Sequence, residues 1–350
     1  MGVVDAQVAA HTVWQWVGYA CVSVLITNLI TVRLESTSMK PLVILAASAL
    51  LLAGCAATPA PEAESDLVTV VASTNVYGNI ASAIGREHLE VTNIIDSPSQ
   101  DPHSYEASAR DRKAVDDAEL VIINGGGYDT FMETLVEASA TSAPVINAVE
   151  VSGLLPADAA ADEDHAEGEE EHDHIEGFNE HVWYSFTAMG RVADQIANDL
   201  AAIDPDNAST YAANAQEFVT QIGILQDKAE SLVPKAAGRS VALTEPVPGY
   251  LIDAVGLVNV TPEAFTEAIE EGSDVPPLAL QETLDLITSK SVIMLGYNEQ
   301  TSSPETEKLR TAAEDADIDV ASFTETLPDG YDYISWMTRV NIAQIEEALI

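Results

Sequence analysis

The chain has 350 residues and is 47% hydrophobic, enough to bury a large core, so global disorder is excluded. With 14 Lys and Arg against 57 Asp and Glu, its formal charge is −43, which argues against nucleic-acid binding and for attraction of cations. The only cysteines, Cys21 and Cys55, leave neither a disulfide scaffold nor a cysteine-based zinc finger.

The chain from Met39 reads Met39-Lys40-Pro41, an apolar run from Leu42 to Ala53, then Gly54-Cys55. A short basic start, an apolar stretch and small residues at its end make a secretory signal. The stretch is too short for a membrane span. Leu52-Ala53-Gly54-Cys55 resembles a bacterial lipobox, in which the cysteine is acylated and becomes the first mature residue. An ordinary signal with a chance cysteine is the plainer alternative. Cys55 is the only cysteine after Met39, which favours lipidation. Ahead of it, Val13 to Val32 is mostly apolar and could form a membrane helix. Two apolar segments before a lipobox would make an odd signal, so residues 1–38 are read as preceding the true start. Residues 39–54 are then the signal and 55–66, rich in Ala, Pro and Glu, a solvated tether. Arg33 and Lys40 balance Asp5 and Glu35, so the net charge belongs wholly to the chain from Cys55 onward.

Beyond the tether, β-branched runs occur at 67–72, 89–95, 120–124, 144–148, 239–243, 257–261, 291–295 and 318–322, with helical patterns between many of them. Alternating strand and helix predicts an α/β fold with parallel sheets. The runs fall in two groups, which predicts two lobes, 67–204 and 235–350. Each is a mostly parallel sheet flanked by helices. Between them Met189, Val192, Ile196, Leu200 and Ile203 recur at helical spacing until Asp204-Pro205 breaks the pattern. Tyr211, Ala215, Phe218, Ile222, Leu225, Ala229 and Leu232 then mark a long helix within 205–234. It reads as a rigid spine joining both lobes, or else as a core helix of one lobe. Residues 158–176 are compositionally foreign, with ten carboxylates, His165, His172 and His174, and no basic residue. Such a segment cannot bury a core. No internal sequence repeat is detectable.

Of 7 histidines, His11 precedes the expected start and His88 reads as a surface residue beside a strand. The other five fall between 103 and 181. That clustering in a carboxylate-rich segment without cysteine points to Zn²⁺, Mn²⁺ or Fe²⁺. His103 stands in Asp101-Pro102-His103-Ser104-Tyr105-Glu106 after a predicted strand, where open α/β sheets bind ligands. His181 stands in Asn179-Glu180-His181-Val182-Trp183 before a helix. Asn124-Gly125-Gly126-Gly127 lacks the residues of a phosphate loop and reads as a strand-to-helix turn with unusual backbone angles.

The series DPHSYE, NGGGYD, an acidic histidine-rich segment and NEHVW resembles the cluster A-I solute-binding lipoproteins of zinc and manganese ABC importers, over about 67–350. Two departures stand out: Glu180 and Ala107 occupy positions where family members often have proline. The resemblance implies His103 and His181 as metal ligands, with two more from the second lobe. Those are Glu245, in Thr244-Glu245-Pro246 ahead of Gly249-Tyr250, and Glu325, ahead of Gly330-Tyr331-Asp332-Tyr333. Asp329 and Asp332 are the neighbouring alternatives to Glu325. It also implies a monomeric, extracytoplasmic protein, lipid-anchored through Cys55 on the outer face of the membrane. Such a protein would deliver metal to an ABC permease with its cytoplasmic ATPase. Zinc is the expected cargo, because zinc importers of the family often carry histidine-rich segments. Two imidazoles with two carboxylates also suit Mn²⁺, and iron is a third possibility. His165, His172 and His174 read as an accessory metal collector, or as part of a plain solvated spacer. A secreted metal-dependent hydrolase is the competing class. Four protein ligands without a spare base favour transport over catalysis. An adhesin role is untested by any residue.

Overall fold

The structure, a computed structural model, describes residues 67–156, 175 and 177–350. All of them belong to one unit, Asp66–Ile350. Cys55, the signal-like segment, the tether and the upstream apolar run lie outside the described residues, as do His165, His172 and His174.

All eight apolar runs form strands. The first sheet holds β1 (Val68–Thr74), β2 (Leu89–Ile95), β3 (Leu120–Ile123) and β4 (Val145–Asn147) in the order β2-β1-β3-β4. The second holds β5 (Ser240–Leu243), β6 (Val258–Asn259), β7 (Met294–Tyr297) and β8 (Asp319–Ser322) in the order β6-β5-β7-β8. Every pairing is parallel. The two sheets thus share one topology although no repeat is visible in the sequence. In each, the order reverses between the first and third strands, which opens a crevice at their carboxyl ends.

The helices of the first half are α1 (Asn75–Gly85), α2 (Ala109–Asp116), α3 (Thr130–Ala138), α4 (Ala148–Ser152) and α5 (Phe186–Ile203). Helix α6 (Ala208–Glu230) follows, then α7 (Val233–Ala236), α8 (Gly249–Ala254), α9 (Glu263–Glu270), α10 (Pro277–Thr288) and α11 (Pro304–Asp315). The chain ends in α12 (Tyr333–Trp336), a π-helical turn at Met337–Asn341, and α13 (Ile342–Ala348). Strand side chains alternate between two apolar layers. Val70 and Ala72 of β1 and Leu120 and Ile122 of β3 enter a shared inner core, while Val71 and Val121 enter an outer one under α2 and α3. Burial on both faces is why these strands read as continuous apolar runs.

Helix α6 is the expected spine. Its 23 residues, roughly 35 Å at 1.5 Å per residue, pack on α1 and α5 of the first lobe and on α8 and α12 of the second. Its helical span lies inside the 205–234 read from the sequence. The turn Pro205–Asn207 precedes it, and Pro234 falls in the first turn of α7. The inner core runs through it without interruption, from Val70 to Val241, Leu243 and Ile345. Among the described residues no helix is long and apolar enough to cross a membrane.

Candidate metal centre

Of the sequence-predicted ligands, His103, Glu245 and Glu325 follow the carboxyl ends of β2, β5 and β8, and His181 precedes α5. His103 lies in the loop after β2. Its backbone N–H donates to Asp101 Oδ1 at 3.0 Å, and Ser104 Oγ donates to Asp101 Oδ2 at 2.9 Å. The loop is closed by a capping box, in which Ser108 and Asp111 satisfy each other's backbone at the start of α2. Tyr105, from the same motif, packs against Phe131 with the rings tilted and their centroids 4.8 Å apart.

His181 is fully buried between Tyr128 and Trp183, with ring centroids at 5.8 and 5.1 Å. Tyr128 also meets the His103 ring edge-on at 5.0 Å. It comes from the NGGG turn, whose three glycines take φ of 77°, 69° and 90°, the left-handed region where a side chain is strained. Buried Asp129 holds that turn by accepting from the N–H groups of Asn124 at 2.7 Å and Gly125 at 2.8 Å. The motif therefore builds one wall of the site, a role the sequence reading did not give it.

Asn179 sets the state of His181. Its Nδ2 donates to the Pro246 carbonyl at 2.9 Å, so Oδ1 is the acceptor facing His181 Nδ1 at 2.8 Å. That places the imidazole proton on Nδ1 and turns the Nε2 lone pair toward the crevice. Tyr250 pins the same residue by donating to its carbonyl at 2.6 Å. Gly249 is required beside it, because a Cβ there would stand 2.7 Å from Asn179 Nδ2. Asn179→Ala is expected to weaken metal binding about 10- to 100-fold, the usual cost of losing a partner that orients a ligand. Gly249→Ala should act in the same direction by displacing the amide. Calorimetric titration checks both; unchanged affinity in Asn179→Ala would show that other contacts orient the ring.

The second lobe supplies carboxylates. Glu245 follows β5 and Glu325 follows β8; they are 3% and 1% exposed. One amide joins them: Asn298 Nδ2 donates to Glu245 Oε2 at 2.6 Å and to Glu325 Oε1 at 2.7 Å. The amide is oriented by Gln300 N, which donates to Asn298 Oδ1 at 3.0 Å. Thr301 Oγ1 adds a 2.6 Å bond to Glu245 Oε2. Gln300 ties this side to the first lobe, accepting from Glu325 N at 2.8 Å and donating to the Gln100 carbonyl at 3.2 Å. The alternatives to Glu325 face elsewhere: Asp332 caps α12 and Asp329 is exposed.

Glu270, at the end of α9, completes the group and was not singled out in the sequence. One ligand atom each from His103, His181 and Glu270 lies within 4.8 Å of the other two. His181 Nε2 stands 3.5 Å from Glu270 Oε1. Glu245 and Glu325 lie beside this trio, outside that 4.8 Å set, and their charges reach Glu270. Burial pushes the Glu245 carboxyl up to about 7, with Asp101 and Glu180 adding repulsion. Burial first, then Glu180, Glu245 and Glu325, push Glu270 up to about 10. Glu325 is also driven well above the usual carboxylate range by burial and then by Glu245. Carboxylates that oppose one another's ionisation in a dry crevice, with two imidazoles beside them, form a cation-binding donor set.

The family described as zinc-uptake complex component A, periplasmic, matches residues 70–348. The chain belongs to that family. Its members are metal-binding solute-binding proteins of ABC importers, so this member is a binding protein and not an enzyme. It is similar to the manganese-binding lipoprotein MntA of Halalkalibacterium halodurans, 26% identical over 216 residues, 61% of this chain and 66% of that one. It is also similar to the iron ABC transporter substrate-binding lipoprotein MtsA of Streptococcus pyogenes, 26% identical over 86% of this chain and 95% of that one. In fold it is similar to the SBP FpvC of Pseudomonas aeruginosa in complex with Mn²⁺. The TM-score is 0.63 at 23% identity, covering 81% of this chain and 98% of that one.

Proposed function

We propose that the chain captures a divalent transition metal outside the cell membrane and passes it to an ABC permease driven by a cytoplasmic ATPase. It acts as a monomeric lipoprotein held to the outer face of the membrane through Cys55. His103 and His181 from the first lobe and Glu245 and Glu325 from the second hold the ion. The observation that carries this reading is the convergence of two imidazoles and a carboxylate, one ligand atom each within 4.8 Å, with the buried carboxylates of Glu245 and Glu325 beside them.

The donor set favours Mn²⁺ or Fe²⁺ as cargo, because its two carboxylates offer up to four oxygens against two imidazole nitrogens. Relatives named for manganese and for iron agree with that choice. Zinc, the expectation from the sequence, is the second reading. It draws support from the family's description and from His165, His172 and His174, whose imidazoles we assign to an accessory collector for metal. Metal content of protein purified without a tag, followed by competition between Mn²⁺ and Zn²⁺, tests the reading. One tightly held equivalent is expected, with Mn²⁺ bound stoichiometrically. Protein that holds no metal tightly would sink the reading, and binding of zinc alone would replace the first cargo by the second.

A further inference from the structure

We infer that Glu270 is a direct ligand of the transported metal, supplied from the mouth of the cleft. It lifts the coordination number above four and so selects against Zn²⁺ relative to Mn²⁺. This rests on the metal-capture reading above and adds a residue and a selectivity device to it.

Helix α9 carries four acidic residues, counting the Glu271 at its C-cap. Glu263, Glu267 and Glu271 recur every four positions and are exposed. Phe265 and Ile269 anchor the helix in the second lobe's outer core, while Glu270, its last residue, stands on the stripe of Glu263 and Glu267. Its side chain is only 10% exposed. A glutamate covered to that degree, while Glu263 and Glu267 on the same helix are exposed, either stays neutral or meets a cation. The groups in front of it are His181 and His103.

The spacing is that of two ligands sharing an ion. Two metal–ligand bonds of about 2.1 Å at tetrahedral or square angles place their donor atoms about 3.0–3.4 Å apart. His181 Nε2 and Glu270 Oε1 are 3.5 Å apart, beyond an ordinary hydrogen bond. A cavity of about 340 Å³ opens beside them, lined by Asp101, His103, Ser104, Glu270 and Thr301 among others. Glu270 lines that opening, whereas the buried Glu245 and Glu325 do not. Added to the four proposed ligands, it gives two nitrogens and three carboxylates. Zn²⁺ is held most often by four ligands, whereas oxygen-rich sites of higher coordination suit Mn²⁺.

The test compares the full chain with its Glu270→Gln and Glu270→Ala variants. Each is loaded with Co²⁺ for visible absorption, then titrated with Mn²⁺ and with Zn²⁺. Loss of a carboxylate ligand should intensify the Co²⁺ d–d bands as coordination falls toward four. Mn²⁺ affinity should drop about 100-fold, as for one ligand of a set, while Zn²⁺ affinity drops less than about tenfold. An unchanged Co²⁺ spectrum with unchanged affinities would overturn the inference, leaving Glu270 as a contact of the metal-free state. Equal losses for both ions with an unchanged Co²⁺ spectrum would also overturn it, making the residue a positioning group. Circular dichroism of the metal-free variants shows that they are folded. If the unaltered protein binds none of the three ions, the capture reading fails and not the assignment of Glu270 alone.

Discussion

A His103→Ala, His181→Ala double variant is expected to lose about four orders of magnitude in metal affinity. Four-ligand sites bind a transition metal with roughly 10–16 kcal/mol, or about 3 kcal/mol per ligand. At 1.4 kcal/mol per tenfold change, each ligand is worth roughly 100-fold. The two imidazoles are also the nitrogen donors of the proposed set, so their loss leaves only carboxylates. A pocket of that kind holds first-row metals less well than a mixed one. His103 is only half-buried, so His103→Ala alone is the milder test of the fold. His181 is fully buried, and truncating it also removes the ring partner of Asn179 Oδ1, which keeps only the backbone N–H of residue 181. A melting curve of the metal-free double variant controls for that damage. Full-strength binding by a folded double variant would remove both histidines from the site.

Strand positions were legible because burial on both faces writes itself as uninterrupted β-branched runs. Val70, Val71 and Ala72 need no tertiary information to be read as a core strand. The spine was legible from Tyr211, Phe218, Ile222 and Leu225. Its two-lobe contact was not, since an apolar stripe does not say what it packs against. The shared strand order of the two sheets was invisible because no residue pattern repeats with it. At the site, His103 and His181 stood out as two of few histidines. Glu245 and Glu325 stood out by following strands. Glu270 was hidden among 57 acidic residues. The helix pattern gave no signal: position 270 shares the stripe of 263 and 267, and its low exposure comes from tertiary neighbours such as His181. Asn179 and Asn298 were out of reach, because an amide that bridges distant segments has no local pattern. Tyr128 lay inside a recognised motif, yet its role depends on the His181 ring about fifty residues away.

Metal-free protein is expected to lose stability as pH rises from about 5 to 8, and bound metal should reverse the trend. Glu245 rises from 4.5 to about 7 on folding, Glu270 to about 10, and Glu325 moves in the same direction. The folded chain therefore binds more protons than the unfolded chain between those limits. Stability then falls with rising pH across that window. The contribution of these carboxyls is fully present below about 4.5 and is lost as each folded value is passed. A difference of one in pKa corresponds to about 1.4 kcal/mol, so Glu245 alone bounds the loss at roughly 3 kcal/mol by pH 8. For a chain of this size that is a fall in melting temperature of about 5–10 °C. Metal must displace the same protons, so its affinity grows with pH. At a thousandfold excess over Kd, binding stabilises by about 4 kcal/mol, and the gap between loaded and chelator-treated protein should widen toward pH 8. The formal charge of −43 also destabilises the fold as pH rises, through general repulsion. Glu245→Gln separates the two effects, because it removes one buried titration and changes the total charge little. Melting of the metal-free variant should depend less steeply on pH than that of the parent. A parent whose metal-free melting temperature is level or rising between pH 5 and 8 would mean that these carboxyls ionise in the crevice without cost.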